Sequence, residues 1–431
     1  MRLKKIFEWI RIILFTAILV GGCVLGFILP LHPTISESEG RELTRFPSFT
    51  MESFLSGKYT SQISLWYADT FPFRDSFLEM SGDLKGLYGI GNQEFAGYEG
   101  NVDSIGTDGD FNWHIPPVEE TVPPQDNPIS ETIDGYYVVG DTCWELYYYK
   151  ADLVDRYSRV VVQTALDLNG TAQIYCMVAP TAYCYGLSSE KLAELGASDG
   201  LATIDHIYKS IDSYCPQAGV ESPVITLPVH EMLGQHYNEY IYFRTDHHWT
   251  GKGAWYASRY FLDVAGRDYP PLEAYETFTY ESFLGSLYRH TQNENLKNNP
   301  DTLVAYLSPT VSELLTASKG GSTVHPLIHK EITSSNKYLC FCAGDHEYYE
   351  AHNETITDGS SILIIKESYG NAFIPMVVDS YEYVYAIDYR YWRGDLVSFV
   401  EERKIDTVLF LNNLMATADS YTVRCLKTLV D

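Results

Sequence analysis

The stretch that decides the fold reads Ile362-Leu363-Ile364-Ile365-Lys366-Glu367-Ser368-Tyr369-Gly370-Asn371. Its four consecutive aliphatic residues predict a short strand, Ile362 to Ile365, that is buried on both faces as in a parallel sheet. The chain then turns and enters a predicted helix from Ala372 to Val378. Open α/β sheets bind ligands at this end of their strands. Ser368 is therefore the candidate nucleophile, although a serine in this position is more often a helix cap.

Short apolar runs and amphipathic stretches alternate through the rest of this region. Predicted helices cover 152–168, 204–214, 253–264, 396–402 and 421–430, and predicted strands cover 172–178, 224–227, 384–387 and 407–411. This alternation predicts an α/β domain, residues 136–431, in which helices cover both faces of a mostly parallel sheet.

The N-terminus has the pattern of a membrane anchor. Basic residues within 1–11 precede a stretch from Ile12 to Leu31 that carries no charge and that, as a helix, is long enough to cross a bilayer core of about 30 Å. The positive-inside rule places residues 1–11 in the cytoplasm and the rest outside, as a single-pass protein of the cell membrane. A cleaved signal peptide is the alternative.

Two further segments lie between the anchor and the α/β domain. Residues 36–97 are rich in aromatic side chains and are predicted to form a membrane-proximal module. Residues 98–135 are rich in Gly, Asp, Pro and Glu, with Pro116-Pro117 and Pro123-Pro124, and are predicted to form a loop or linker insertion.

Charge and motif content limit the classes of function. The formal charge is −27, from 57 acidic and 30 basic residues, which disfavours nucleic acid and fits poorly with a strongly anionic polymer as substrate. The chain has no phosphate-binding glycine motif and no Cys/His spacing suited to structural zinc. We therefore predict no cofactor and no metal.

A second polar string reads Tyr242-Phe243-Arg244-Thr245-Asp246-His247-His248-Trp249-Thr250. In extended backbone, residues i and i+2 project to the same side, so Asp246 can orient and charge-stabilise the imidazole of His248. An ordinary polar loop before a helix is the alternative. With Ser368, the string supplies a nucleophile, a base and an orienting acid, which is the set that acyl transfer through a covalent ester needs.

Asp246-His247-His248-Trp249 resembles the signature of the DHHW protein family, which is similar to the SGNH-hydrolase-like domains of the alginate O-acetyltransferases AlgX and AlgJ. The resemblance also rests on Arg41-x-Leu43, Phe46-Pro47, Asp69, Phe71-Pro72, Arg74, Gly344-Asp345-His346 and the Lys-x-Ser-Tyr-x-Asn run at 366–371. It implies an SGNH-hydrolase-like three-layer sandwich. It also implies Ser368 as nucleophile, His248 as general base and Asp246 as its orienter.

Several neighbouring residues are secondary candidates. His247 has no counterpart in the acetyltransferase pattern, so it is either a substrate contact or the true base. The residue before the serine is commonly Asp in these proteins and is Glu367 here. Candidates for oxyanion stabilisation or substrate binding are Asn371, Trp249, Gly344, Asp345, His346, Asn412 and Asn413.

The sequence thus favours a membrane-anchored, extracytoplasmic O-acyltransferase or esterase that acts on a cell-surface glycan of the bacterial envelope. A membrane protein that exports acyl groups is a further partner that the resemblance implies. The alternative is a non-catalytic glycan-binding or assembly protein of a polysaccharide system, because a fold can be kept for binding alone.

Overall fold

A computed structural model describes residues 130–430 apart from 134, 169, 221, 222, 319 and 320, together with residues 32, 35–36, 41–42, 45–51, 54, 59–60, 63, 66–67 and 70–71. The chain divides into two compact units, Met1–Gln93 and Glu94–Asp431. The predicted anchor at 12–31 and most of the predicted linker lie outside the described residues. Among the described residues, no helix has the length and apolar character needed to cross a membrane.

The first unit contains a small strand pair and an aromatic cluster. Strand β1 (Ile35–Ser36) pairs antiparallel with β2 (Arg41–Glu42). Phe46 meets the indole of Trp66 edge-on, with ring centroids 4.8 Å apart. Trp66 is buried in this cluster, whereas Phe46 and Phe49 remain exposed.

The second unit carries the remaining strands and all the helices named below. Its strands are β3 (Ser130–Ile133), β4 (Tyr136–Val139), β5 (Thr142–Glu145), β6 (Gln173–Ala179), β7 (Ile225–Thr226), β8 (Glu276–Phe283), β9 (Asp301–Leu307), β10 (Glu313–Ser318), β11 (Gly321–Pro326), β12 (Tyr348–His352), β13 (Ser361–Lys366), β14 (Tyr383–Asp388) and β15 (Thr407–Asn413). Its helices are α1 (Ala151–Leu168), α2 (Tyr183–Gly186), α3 (Ser189–Glu194), α4 (Gly200–Ala218), α5 (Val229–Gln235), α6 (Gly251–Ala265), α7 (Ser286–Thr291), α8 (Glu294–Asn298), α9 (Tyr369–Val377), α10 (Leu396–Arg403) and α11 (Ser420–Lys427).

An eight-stranded sheet forms the centre of this unit, in the order β11-β10-β12-β14-β13-β15-β6-β7. The strands from β14 to β7 are parallel, whereas β12, β10 and β11 extend the sheet as antiparallel strands. Every residue of β13 and β15 is buried, as expected for parallel strands covered on both faces. Four of its seven strand pairings are therefore parallel and three are antiparallel. The antiparallel strands are not among the predicted elements, and the exposed edge strand β11 has no apolar run to reveal it.

Helices pack in two groups. Helix α1 packs against α4 and α11, and helix α6 packs against α5 and α9. Helix α6 follows the Asp-His-His-Trp string directly, and the hydroxyl of Thr250 caps it by accepting the N–H of Gly253 at 3.2 Å. The cap fixes where the string ends and the helix begins.

Two antiparallel elements lie outside the large sheet. Strands β3, β4 and β5 form a three-stranded meander, and β8 pairs with β9. The meander begins at Ser130, within the range predicted as linker. Both elements reach the candidate site described next, and neither is among the predicted strands.

Candidate active site

Ser368 lies at the carboxyl edge of the large sheet, between β13 and helix α9. Strands β13 and β15 are adjacent and parallel, with Lys366 paired to Leu411, so the residues just after β13 lie beside the end of β15. Ser368 makes no helix-capping hydrogen bond. Its Oγ atom lies 2.8 Å from Nε2 of His248 instead. The serine hydroxyl therefore faces an imidazole, as an activated nucleophile must.

Asp246 holds His248 in place. Its Oδ1 atom lies 2.6 Å from Nδ1 of His248 and accepts the His248 backbone N–H at 3.0 Å. Its Oδ2 atom accepts the backbone N–H of Ser286 at 2.8 Å. Burial alone raises the pKa of Asp246, but the charge and hydrogen bond of His248 outweigh burial and hold that pKa well below its usual range. The carboxylate is thus ionised and oriented toward the imidazole.

Asp301, the first residue of β9, fixes the loop that carries Asp246 and His248. Its carboxylate accepts the backbone N–H and the hydroxyl of Thr245, each at 2.7 Å, and the Nε–H of Arg244 at 3.2 Å. Asp301 is buried. These bonds fix the backbone immediately before Asp246.

The His248 ring is packed between two other rings. Tyr338 stacks on one side with its centroid 3.9 Å away and an interplanar angle of 11°. His247 lies 3.8 Å away by the same measure. Nδ1 of His247 hydrogen-bonds Ser286 Oγ. Burial, and then the charge of His248, lower the pKa of His247 to about 3, so His247 is a neutral imidazole near pH 7.

Glu367 closes the turn that presents the serine. Its carboxylate accepts the backbone N–H of Tyr369 at 2.9 Å and the backbone N–H of Asn413 at 2.8 Å. Burial raises the pKa of Glu367. Glu367, which stands where Asp is commoner, therefore ties the turn at Ser368 to the end of β15. It also occupies the backbone N–H of Tyr369, which could otherwise stabilise an oxyanion.

A cavity of about 490 Å³ opens over the serine. It is lined by Tyr136, Glu145, Leu146, Tyr147, Tyr148, Lys150, His247, Ser286, Leu287, His290, Glu367, Ser368, Tyr389, Arg390, Asn413, Met415, Ala416, Ala418, Asp419 and Thr422. Its volume lies in the usual range for ligand sites. Asp246 and His248 lie behind its wall, while Ser368 and His247 face into it.

Several predicted contact residues lie away from this cavity. Trp249 is fully buried, and its indole N–H donates to the carbonyl of Tyr369 at 3.1 Å, so it braces helix α9. Asn412 is fully buried and its Oδ1 atom accepts the Tyr157 hydroxyl at 3.0 Å. The next residue, Asn413, lines the cavity. A one-residue step along a strand reverses the side-chain direction, which explains the difference.

The Gly344-Asp345-His346 turn belongs to a buried charged network beside the serine strand. Asp345 accepts the Asn371 side-chain N–H at 2.8 Å and an N–H of Arg390 at 2.7 Å, and Lys366 Nζ also bonds the Asn371 side chain. Neither Asn371 nor any residue of the turn lines the cavity. These residues therefore support the strand end instead of facing a substrate.

One group in the described part of the chain has metal-ligand spacing. Asp246, His247 and His248 offer ligand atoms within 4.8 Å of one another. Both ring nitrogens of His248 already bond Asp246 and Ser368. Asp246 and His248 therefore form a hydrogen-bonded path to Ser368, and a metal would have to break it.

The comparisons with known proteins agree with the motif. The family model "DHHW protein" matches residues 39–114 and 119–387. A crystal structure of a DHHW family protein from Eubacterium siraeum is 28% identical, with a TM-score of 0.61, over 69% of this chain and 96% of that one. No curated protein matches the chain.

Two other solved structures have lower identity. Bacillus cereus PatB1 with a sulfonyl adduct is 17% identical, with a TM-score of 0.53, over 68% of this chain and 97% of that one, and it shares the mixed α/β fold. The O-acetyltransferase domain of Pseudomonas putida AlgJ is 17% identical, with a TM-score of 0.38, over 70% and 99%. The family match spans most of the sequence, and the chain belongs to the DHHW protein family.

Proposed function

We propose that this chain is an O-acyltransferase or esterase with an SGNH-hydrolase-like three-layer fold that acts on a cell-envelope glycan through Ser368, His248 and Asp246. The observation that carries the proposal is the unbroken chain of short contacts, 2.8 Å from Ser368 to His248 and 2.6 Å from His248 to Asp246, at the edge of a cavity. We further propose that residues 12–31 anchor the protein in the membrane with this domain outside.

In the first half-reaction, Ser368 Oγ attacks the carbonyl carbon of an acyl ester while His248 Nε2 takes the hydroxyl proton. The bond to the donor alcohol breaks and His248 returns the proton to the leaving oxygen. In the second half-reaction, a sugar hydroxyl or water attacks the serine ester while His248 takes its proton. The bond from the acyl carbon to Ser368 Oγ breaks, and His248 returns the proton to Oγ. Asp246 keeps the imidazole in the required tautomer and stabilises its protonated form.

The negative oxygen of the tetrahedral intermediate needs hydrogen-bond donors. The Tyr369 N–H is taken by Glu367. The backbone N–H of Ser368 has no acceptor among the described residues, and Asn413 lines the same cavity. The Asn413 Oδ1 atom accepts the Ala416 N–H at 3.1 Å, which turns its NH₂ group away from that bond. We assign Ser368 N–H and Asn413 Nδ2 as the oxyanion donors.

The test is covalent labelling of the full-length chain with a fluorophosphonate, read by intact mass. We expect one adduct in the wild type, none in Ser368→Ala, and one in Ser398→Ala, which alters an exposed serine on α10. In hydrolysis of p-nitrophenyl acetate, His248→Ala should lose about as much activity as Ser368→Ala, because triad members act as a unit. A folded wild type that neither reacts with the probe nor hydrolyses the ester would refute the enzymatic proposal.

A further inference from the structure

Glu145 is a cavity residue that the proposed mechanism does not use. It is the last residue of β5, opposite Tyr136 of β4, so the meander carries its side chain to the cavity wall. Its carboxylate forms no hydrogen bond and no ion pair with any residue that the structure describes. Burial raises the pKa of Glu145 to about 7, and the charge of His248 opposes this shift. A carboxylate kept without a partner beside a catalytic imidazole is placed to receive a donor from a ligand.

His247 presents a second unused group to the same space. Its Nδ1 atom bonds Ser286, so Nε2 is the ring atom left for the cavity. Ser286 Oγ also accepts the His247 backbone N–H at 3.3 Å, and the Tyr369 hydroxyl donates to the His247 carbonyl. The ring is therefore fixed, and because it remains neutral it offers one directional hydrogen bond.

We propose that Glu145 and His247 form an acceptor subsite for a neutral sugar with adjacent hydroxyl groups, one hydroxyl donating to the Glu145 carboxylate and another bonding Nε2 of His247. This inference rests on the acyl transfer proposed above. It places the attacking hydroxyl on the His247 side of the His248 ring, since Tyr338 covers the other side.

The charges around the cavity favour a neutral ligand. Lys150 lines it together with Glu145, so a cationic sugar that meets Glu145 also meets a positive side chain. The other basic lining residue, Arg390, is ion-paired with Asp345 and Asp388. The other acidic lining residues, Glu367 and Asp419, already accept backbone N–H groups. An anionic sugar is repelled by Glu145 itself and by the net charge of −27. A neutral polyol donates hydroxyl hydrogen bonds to the Glu145 carboxylate and is repelled neither by Lys150 nor by the negative charge.

The test separates the two half-reactions at a pH near 8, above the pKa of Glu145. The first-turnover burst of p-nitrophenol from p-nitrophenyl acetate reports acylation of the full-length protein, and mass spectrometry of added tetrasaccharide reports transfer. The probes are cellotetraose (neutral), a tetramer of N,N,N-trimethylglucosamine (cationic at every pH) and a galacturonate tetramer (anionic). A control variant, Glu313→Gln, removes an exposed carboxylate on β10 that does not line the cavity.

We expect the wild type to acetylate cellotetraose in preference to both charged tetramers. Glu145→Gln should lower the ratio of transfer to acylation by about 10- to 100-fold, the effect of losing a charge-assisted hydrogen bond. Glu145→Asp should restore part of this ratio, and Glu313→Gln should leave it unchanged. A structural role would lower both half-reactions together and leave the ratio intact.

Three results would overturn the inference while leaving the proposed enzyme in place. These are an unchanged ratio in Glu145→Gln, a preference for a charged tetramer, and failure of cellotetraose both to accept acetyl and to bind Ser368→Ala in calorimetry. Absence of Ser368-dependent p-nitrophenol release would instead defeat the proposed function, and the acceptor subsite with it.

Discussion

Gly285 lies against Asp246 so closely that a Cβ atom at position 285 would be 2.1 Å from the Cβ atom of Asp246 and 2.4 Å from its Oδ2 atom. The N–H of Gly285 donates to the hydroxyl of Thr245 at 3.1 Å, and the next N–H, from Ser286, donates to Asp246. The position of the carboxylate that orients His248 therefore depends on a residue without a side chain, 39 positions along the chain.

We predict that Gly285→Ala displaces Asp246. The free energy of unfolding should fall by about 1–3 kcal/mol, the usual cost of overpacking. The rate of fluorophosphonate labelling at Ser368 should fall by about 100-fold, because small misplacements of catalytic groups are costly. The control is Gly170→Ala, at a positive φ of 80° with no atom within 4 Å of its Cβ, which should lose stability but label normally. Equal labelling of both variants would contradict the prediction.

The two asparagines at the end of β15 should behave differently. Asn413→Asp keeps an oxygen that accepts the Ala416 N–H but removes the amide donor that we assign to the oxyanion. We expect ester hydrolysis to fall by about 10²- to 10³-fold with little loss of stability. Asn413→Ala should lose the same activity and, in addition, about 1 kcal/mol from the lost cap. A wild-type rate in Asn413→Asp would remove this residue from the mechanism.

The carboxylate of Glu145 should carry a stability cost that depends on pH. Its pKa is raised from 4.5 to about 7, so between these pH values the folded chain holds a proton that the unfolded chain has released. Stability is therefore lost as pH rises from about 4.5 to 7. Glu145→Gln lacks this loss and should be more stable than the wild type by about 1–3 kcal/mol near pH 8, but not near pH 4. Denaturant midpoints at the two pH values measure the difference, and a gain at both would point to packing instead.

The sequence predicted the parallel part of the fold because its strands are fully buried and read as apolar runs. The predicted strand Ile362 to Ile365 is observed as Ser361–Lys366, and the predicted helix 152–168 as Ala151–Leu168. The antiparallel strands were missed because their residues are partly exposed. In β11, for example, no residue is buried.

The candidate site was predictable only where one motif carries the chemistry. Local spacing and a position at a strand end indicate Asp246, His248 and Ser368, and the structure brings the three together. The sequence indicates Asn412 and Asn413 equally, and only the structure separates them, since one residue of register decides which of the two faces the cavity. Glu145, Tyr338 and Asp301 come from segments far away in sequence, and nothing in their local sequence marks them.

The lowered pKa of the buried His247 should make the free energy of unfolding fall at acid pH. Its pKa is lowered from 6.5 to about 3, so below pH 6.5 this imidazole is protonated in the unfolded chain but still neutral in the folded chain. Stability is therefore lost as pH falls from about 6.5 toward 3, with a slope of up to about 1.4 kcal/mol per pH unit from this group. His247→Gln removes the titration but keeps a hydrogen-bonding side chain beside Ser286. Between pH 7 and pH 5, its free energy of unfolding should fall less than that of the wild type by about 1–2 kcal/mol.

The control is His352→Gln, at an exposed position on β12, which should follow the wild type. If all three proteins lose stability in parallel, His247 binds its proton at the same pH in the folded and unfolded chain, and its burial does not lower its pKa.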